Sequence, residues 1–411
     1  MTQITLSNTG LTVPLSAGEA YFNYCWLRDA CPSCIDNQTR ERVFDVASLP
    51  ELPRARAAWL DSDAVVIDWQ GESHVSHIPL SLLETFAARG RAEDPADLPP
   101  KLWHADRARY FTRVPQQAVL SDPDARARLT RALIEDGIAI VTDMAADKDS
   151  LPRLVNAIGP ITPSAEGLFF DVRVEIAPTN LAFTAGPLEM HTDLPGEEAA
   201  PGVQFLHCLE NTVEGGLSLF LDGAAVAEAL REEDPEAFRL LASYKIPFFY
   251  RHDNWDYRAH QRVIETDPEG RVTGVTISQH LQDALDLPQD MLDSYYPAYI
   301  RFLKMMQEPR FLVRFRSEAG NCVIFDNHRI VHGREGYVAD SGKRHLRGCY
   351  TDRGALRSTL RVLAKQGHSG LSQAENAFTD MENRFQASPE TANDPAPVTQ
   401  NAAQAQNWGS R

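Results

Sequence analysis

His191 and Asp193 stand two residues apart in EMHTDLPGEE, just ahead of a Pro-Gly turn. On a strand, side chains two apart leave the same face with about 6 to 7 Å of backbone between them, so an imidazole and a carboxylate there can converge on one ion. An H-x-D tripeptide also arises by chance, and a solvated turn with a capping aspartate is the plainer alternative. A third ligand would decide. NCVIFDNHRIVHGRE, residues 321–335, reads as strand, polar turn and second strand. It puts His332 on the second strand with Gly333 leaving room beside it, and His328 in the turn, where a surface role suits it. Two histidines and one carboxylate form the facial set of non-haem iron(II) oxygenases, which leaves positions on the metal for a co-substrate and oxygen. The same trio holding zinc would activate water for hydrolysis.

Open metal positions call for a grip on the co-substrate. In RHLRGCY, residues 344–350, strand alternation puts Arg344, Leu346, Gly348 and Tyr350 on one face and His345, Arg347 and Cys349 on the other. A guanidinium takes a carboxylate bidentately. Arg344 is therefore a candidate for the distal carboxylate of 2-oxoglutarate, whose keto acid end would chelate iron. A surface ion pair is the plainer alternative for a lone arginine.

These residues need a scaffold of strands. GVQFLHCL, GLSLFLD, VTGVTIS, FLVRFRS, NCVIFD and RHLRGCY are strand-like, and the helices group around them rather than alternating with them. That pattern favours a mainly β fold, a sandwich or jelly roll with helical insertions, over a doubly wound parallel sheet. Apolar spacing predicts a helix in DARARLTRALIEDG followed by the strand IAIVTD, a helix in SLPRLVNAIG capped by Ser150 and stopped by Gly159, and two helices split by Pro235 in DGAAVAEALREEDPEAFRLLASY. Upstream, alternating runs such as FNYCWLRD, AVVIDW and SHVSHI, closed by one helix in PLSLLETFAARG, predict a small β-rich domain over 1–98. The Pro-rich DPADLPP joins it to a larger domain over 99–366. From 367 to 411 the chain is rich in Ala, Gln, Asn, Ser and Pro and reads as a disordered tail.

Composition narrows the function. A formal net charge of -17 opposes nucleic-acid binding, which needs a basic stripe against the phosphates. No apolar run approaches the ~20 residues of a membrane span. MTQITLSNTG lacks a basic and apolar leader, which predicts a cytoplasmic protein. The six cysteines, at 25, 31, 34, 208, 322 and 349, read as free thiols or metal ligands rather than a disulfide framework.

Taken in order, H-T-D, PGVQFLHCLENTVEGG, FDNHRIVHGR and RHLRGCY resemble the gamma-butyrobetaine dioxygenase and trimethyllysine dioxygenase family of iron(II)- and 2-oxoglutarate-dependent oxygenases, from about residue 15 to about residue 363. The resemblance implies a taurine dioxygenase-like double-stranded β-helix, usually in a homodimer. It implies His191, Asp193 and His332 as iron ligands and Arg344 as the 2-oxoglutarate arginine, with ascorbate as a supporting reductant. The implied reaction uses O2 to hydroxylate an unactivated C-H bond of a small trimethylammonium zwitterion. Gamma-butyrobetaine, giving L-carnitine, is the first candidate; trimethyllysine, 2-trimethylaminoethylphosphonate or another ammonium compound are alternatives. A metal-dependent hydrolase, or a binding protein without turnover, are the readings outside that family.

A trimethylammonium group has no N-H, so aromatic faces hold it. By the likeness Phe170, Phe183 and Tyr350 supply those faces and Asn180 orients the substrate's carboxylate, while Phe169 reads as core. Glu166 departs from the family, which has an aromatic there; a carboxylate beside a cationic site adds attraction or accepts from an amine that keeps its protons. WLRDACPSC resembles the family's zinc-carrying N-terminal domain, whose pattern is C-P-C-x-x-C joined by a distant histidine. Here only Cys31 and Cys34 occupy the loop, with His74 in the histidine's place, His77 a weaker rival, and Cys25 the nearest spare thiol for the four ligands a structural zinc wants.

Overall fold

In the computed structural model the described residues are 3–174 and 180–370. The expected tail lies outside them from residue 371 on. The chain divides between Asp94 and Pro95 into two compact units. That division falls within the Pro-rich DPADLPP, four residues ahead of the boundary at 98, because Ala96 and Leu98 pack with Ala127, Leu360 and Leu363 in the second unit. No helix among the described residues is long and apolar enough to cross a membrane.

The first unit carries two antiparallel three-stranded sheets and the predicted closing helix, Leu80–Arg89. Gly90 ends that helix at φ 69°, a left-handed turn that glycine adopts without steric cost. FNYCWLRD corrects the sequence reading. Its strand stops at Asn23, whose side chain accepts from Cys25 N (2.8 Å) and Trp26 N (3.3 Å) and so starts the helix Tyr24–Asp29.

In the second unit the main sheet has seven strands. Across it run Phe170–Val172, Arg344–Thr351, Val203–Asn211, Cys322–Asp326, Ile138–Thr142 and Arg113–Pro115, and Ile161–Thr162 also pairs with Arg344–Thr351. A second sheet of four strands runs Leu188–His191, Ile330–Arg334, Ser218–Asp222 and Val313–Phe315. Neighbours are antiparallel except Arg113–Pro115 beside Ile138–Thr142. The unit is therefore mostly sheet with helices added, as the strand-like runs predict.

Alternation along the strands assigns the faces. Val203 and Phe205 join Leu129, Leu133, Leu151 and Leu154 in a core under the helices Pro123–Glu135 and Ser150–Asn156. Between the two sheets Leu206, Phe220, Val323 and Phe325 pack together. The helices Gly223–Glu233, Pro235–Ser243 and Gln289–Met305 cover the smaller sheet through Leu221 and Val331. The two helices divide at Pro235, as the sequence predicts, and Asp234 caps the second by accepting from Ala237 N. Ser150 is the first helical residue rather than the cap; Asp147 Oδ1 accepts from its N-H at 2.7 Å.

A buried ion pair fixes the turn ahead of His332. Arg329 bonds Asp222 at 2.6 and 3.0 Å and also donates to Glu135 O and Lys101 O at 2.7 Å. Removing one partner of such a pair leaves a buried charge uncompensated, at a cost of about 3–5 kcal/mol. Asp222 also caps the helix Gly223–Glu233, so one carboxylate ties that helix start to the His332 strand.

Candidate active site

Both histidines and the aspartate come from the smaller sheet and its end. His191 is the last residue of Leu188–His191 and pairs with His332 on Ile330–Arg334. Gly333 lets the two strands close up: a Cβ there would lie 2.7 Å from Leu188 O. Asp193 is past the strand, which corrects the expectation that simple alternation aims it. A turn does that work, with Leu194 at φ 50°. Thr192 N donates to Ile277 O at 2.6 Å, and Asn327 clasps the Asp193 backbone, accepting from its N-H at 2.7 Å and donating to its carbonyl at 3.1 Å.

The heads converge. His191 Nε2 and His332 Nε2 lie 3.2 and 3.6 Å from Asp193 Oδ1, and the three ligand atoms fall within 4.8 Å of one another. Adjacent ligands about 2.1 Å from an octahedral ion are about 3 Å apart, so the trio matches one face of such an ion. His191 Nδ1 donates to Glu189 O at 2.7 Å, which leaves Nε2 bare for a metal. Burial and the neighbouring His191 imidazole push His332 down to about 3, so it is neutral at neutral pH. Burial alone would raise the Asp193 carboxyl, but His332, His191 and the Tyr350 hydroxyl hold it well below the usual carboxylate range. A carboxylate beside an unprotonated imidazole is a donor set suited to a divalent cation. His328, the rival, sits in the turn and bonds Ala200 O at 3.1 Å.

Tyr350 takes a part beyond the aromatic face expected of it. Its hydroxyl donates to Asp193 Oδ2 at 2.7 Å, leaving Oδ1 toward the imidazoles. Partners of this kind are worth about 10- to 100-fold in metal affinity. Tyr350→Phe is expected to weaken iron(II) binding by about tenfold at unchanged melting temperature, read by metal titration under nitrogen.

Arg344 is 7% exposed and lines the same cleft, yet its Nε and Nη1 have no hydrogen-bond partner among the described residues. Burial and the neighbouring Arg334 push it down to about 10. A buried guanidinium without a counter-ion is costly, and a carboxylate relieves it. Arg334 is more committed: its Nη1 and Nη2 donate to Ala182 O, Thr184 O and Gly186 O at 2.7 to 3.0 Å, leaving its Nε without a partner among the described residues. The cleft, about 820 Å³ with its open mouth, thus holds a three-ligand metal face and a cationic end. These residues fit iron(II) and a dicarboxylate co-substrate.

The same cleft is lined by the remaining predicted residues, Glu166, Phe170, Asn180 and Phe183. Phe170 and Tyr350 have ring centres 5.3 Å apart, and Phe170 lies over Gly348, where a Cβ would come within 2.2 Å of its ring. Sequence reasoning missed three residues here: Asn327; His280, whose ring is 5.0 Å from that of His191; and Tyr250, which donates to Glu166 at 2.5 Å. Tyr250 sits in the hairpin Lys245–His252 with Trp255–Arg262, legible in the alternation on either side of Asp253-Asn254.

In the first unit Cys31 Sγ and Cys34 Sγ lie 3.4 and 4.0 Å from His74 Nε2. Cys25 is outside this cluster, because the buried positions of its helix are Tyr24, Leu27 and Arg28. Arg28 Nη1 instead approaches Cys34 Sγ at 3.1 Å. His77 is exposed on Val75–Pro79.

The profile described as Taurine catabolism dioxygenase TauD, TfdA family matches residues 85–350. The gamma-butyrobetaine dioxygenase of Pseudomonas sp. (strain AK-1) is 36% identical over 87% of this chain and 94% of its own. The human gamma-butyrobetaine dioxygenase is 28% identical over 86% and 93%, and the mitochondrial trimethyllysine dioxygenase of Gallus gallus 25% over 84% of each chain. The chain belongs to the TauD/TfdA dioxygenase family. It is an iron(II)- and 2-oxoglutarate-dependent dioxygenase, which sets aside the hydrolase and the inert binding protein.

Proposed function

We propose that this dioxygenase hydroxylates an unactivated C-H bond of a small trimethylammonium zwitterion. Gamma-butyrobetaine is the first candidate, and trimethyllysine and 2-trimethylaminoethylphosphonate are the alternatives. One observation carries the reading: a buried guanidinium with N-H groups unbonded among the described residues shares a cleft with two imidazoles, a carboxylate, several aromatic rings and one further acid. The identities to gamma-butyrobetaine dioxygenases support the choice of substrate.

When bound, iron and 2-oxoglutarate supply the oxidation, consuming O2 and releasing succinate and carbon dioxide while one oxygen atom goes to the substrate. The protein binds and aims. His191, Asp193 and His332 would hold the metal on one face. Arg344 would clamp the distal carboxylate of 2-oxoglutarate. Phe170, Phe183 and Tyr350 would present ring faces to the ammonium, each contact worth roughly 0.5 to 2 kcal/mol, and Asn180 would orient the zwitterion.

The same reading takes the two facing sheets as a double-stranded β-helix and the active form as a homodimer in the cytoplasm, with ascorbate keeping iron reduced. Zinc would bind Cys31, Cys34 and His74, one protein ligand short of a closed structural site. Although burial opposes it, hydrogen bonds from Ser33 and Ser76 bring the Cys31 thiol below its usual value, which favours the thiolate a metal needs.

The test is mass spectrometry of the three substrates after aerobic incubation with iron(II), 2-oxoglutarate and ascorbate. We expect a gain of one oxygen atom, matched by succinate and absent under nitrogen. Succinate without any oxygenated ammonium product would overturn the substrate assignment.

A further inference from the structure

The charges of the cleft are unevenly committed. Of its two arginines, Arg334 turns both terminal nitrogens to three backbone carbonyls and Arg344 is assigned to the co-substrate. Of its acids, Asp193 faces the imidazoles. Glu166 remains, half-buried in the cleft lining, with no cationic partner among the described residues.

Its orientation is set. Tyr250 Oη donates to Glu166 Oε1 at 2.5 Å and Asn180 Nδ2 to the same oxygen at 3.3 Å, while Asn180 Oδ1 is occupied by Ala182 N at 2.9 Å. Oε1 is thus saturated, and Oε2 keeps its acceptor capacity. Tyr250 is packed against Tyr350 and Leu194, with Phe170 alongside, so the anchoring hydroxyl belongs to the same apolar cluster that presents the rings. A second carboxylate stands behind: Glu197 Oε1 accepts from Ala165 N at 2.7 Å, and burial together with Glu166 raises the Glu197 carboxyl. Two carboxyl groups therefore lie near one point of the cleft lining.

Rings and carboxylates prefer different ammonium heads. A quaternary ammonium has no N-H and is satisfied by ring faces alone. A carboxylate oxygen with a vacant lone pair gives most to a charged N-H donor, through a charge-assisted hydrogen bond. A cleft with both kinds of group, and with the carboxylate's free oxygen unclaimed, suits a head that presents methyl groups to the rings and a proton to the acid.

We propose that Glu166, oriented by Tyr250 and Asn180, makes this enzyme accept ammonium substrates that still carry an N-H, tertiary dimethylammonio compounds as well as quaternary ones. This rests on the reading that the cleft binds an ammonium zwitterion beside the metal, and adds which heads it takes. Glu166 is the selecting residue and Tyr250 a positioning residue.

The test compares gamma-butyrobetaine with its N,N-dimethyl analogue, which is protonated at neutral pH, on wild type, Glu166→Gln, Glu166→Phe and Tyr250→Phe. Two readouts are taken: kcat/KM by mass spectrometry, and Kd by calorimetry under nitrogen on protein loaded with manganese(II) and 2-oxoglutarate. The ratio of the two substrates cancels changes in folding and metal loading. We expect the wild type to use the dimethyl compound at least as well as the trimethyl one. Glu166→Gln is expected to lower that ratio about tenfold, as a charged acceptor becomes a neutral one. Glu166→Phe should swing it to the trimethyl compound, and Tyr250→Phe should fall between. A wild-type ratio below about one-tenth, or a ratio that Glu166→Gln leaves unchanged in both readouts, overturns the proposal. Should Glu166→Gln fail to fold, the other two variants decide on the same ratio. Neither substrate oxygenated by wild type, with 2-oxoglutarate still bound, would instead sink the functional reading, and this proposal with it.

Discussion

Arg344→Ala is expected to raise the 2-oxoglutarate KM by at least about 100-fold, measured by succinate release at saturating iron and ammonium substrate. Truncating one side of a desolvated, hydrogen-bonded charge pair typically costs about 2–5 kcal/mol, and about 2.7 kcal/mol already corresponds to 100-fold. The variant carries a second signature. In the wild type the Arg344 guanidinium is buried with its Nε and Nη1 unbonded among the described residues, so without 2-oxoglutarate it bears a desolvation cost that no counter-ion offsets. Without co-substrate the melting temperature of Arg344→Ala should therefore equal or exceed that of wild type. With millimolar 2-oxoglutarate the order should reverse, because only the wild type gains ligand stabilisation. A salt-bridge role inside the protein would predict a lower melting temperature under both conditions.

Asp193→Ala should have the larger effect on turnover. It deletes the one carboxylate of the trio and leaves only the imidazoles of His191 and His332, which lie on adjacent strands. Hydroxylation is expected to fall below about one-thousandth of wild type, since even partners outside the ligand set are worth about 10- to 100-fold. Iron bound per chain, measured by atomic emission after desalting, should drop in parallel at that site. The control lies in Tyr350: its hydroxyl loses its acceptor in Asp193→Ala, and Asp193 loses its donor in Tyr350→Phe, so the double variant should be no worse than Asp193→Ala alone.

The groups that carry the chemistry were legible because residue type and local spacing specify them. H-x-D, a histidine on a strand after a polar turn, and an arginine on an alternating strand each sit within a few residues, and the structure brings them into one cleft. The strand reading of Asp193 failed for a physical reason: the turn that aims it is clasped by Asn327, 134 positions away, and no local period encodes such a contact. Asn327 itself was passed over as one more polar turn residue in FDNHR. Tyr250 was missed for a similar reason, since its partner Glu166 is 84 positions distant, although the alternation of its own hairpin was in plain view. The helix Gln289–Met305 escaped because Pro297 lies inside it, where proline normally marks an end. Tyr24–Asp29 escaped because one asparagine cap converts an alternating run into a helix.

Calorimetric titration of 2-oxoglutarate under nitrogen, into wild-type protein with and without manganese(II), tests the central claim most directly. A metal face and a guanidinium grip acting on one diacid predict one 2-oxoglutarate per chain, bound tightly with metal present and at least about tenfold more weakly without it, with Arg344→Ala weak in both states. Equal affinity with and without metal, or full affinity in Arg344→Ala, would contradict the account.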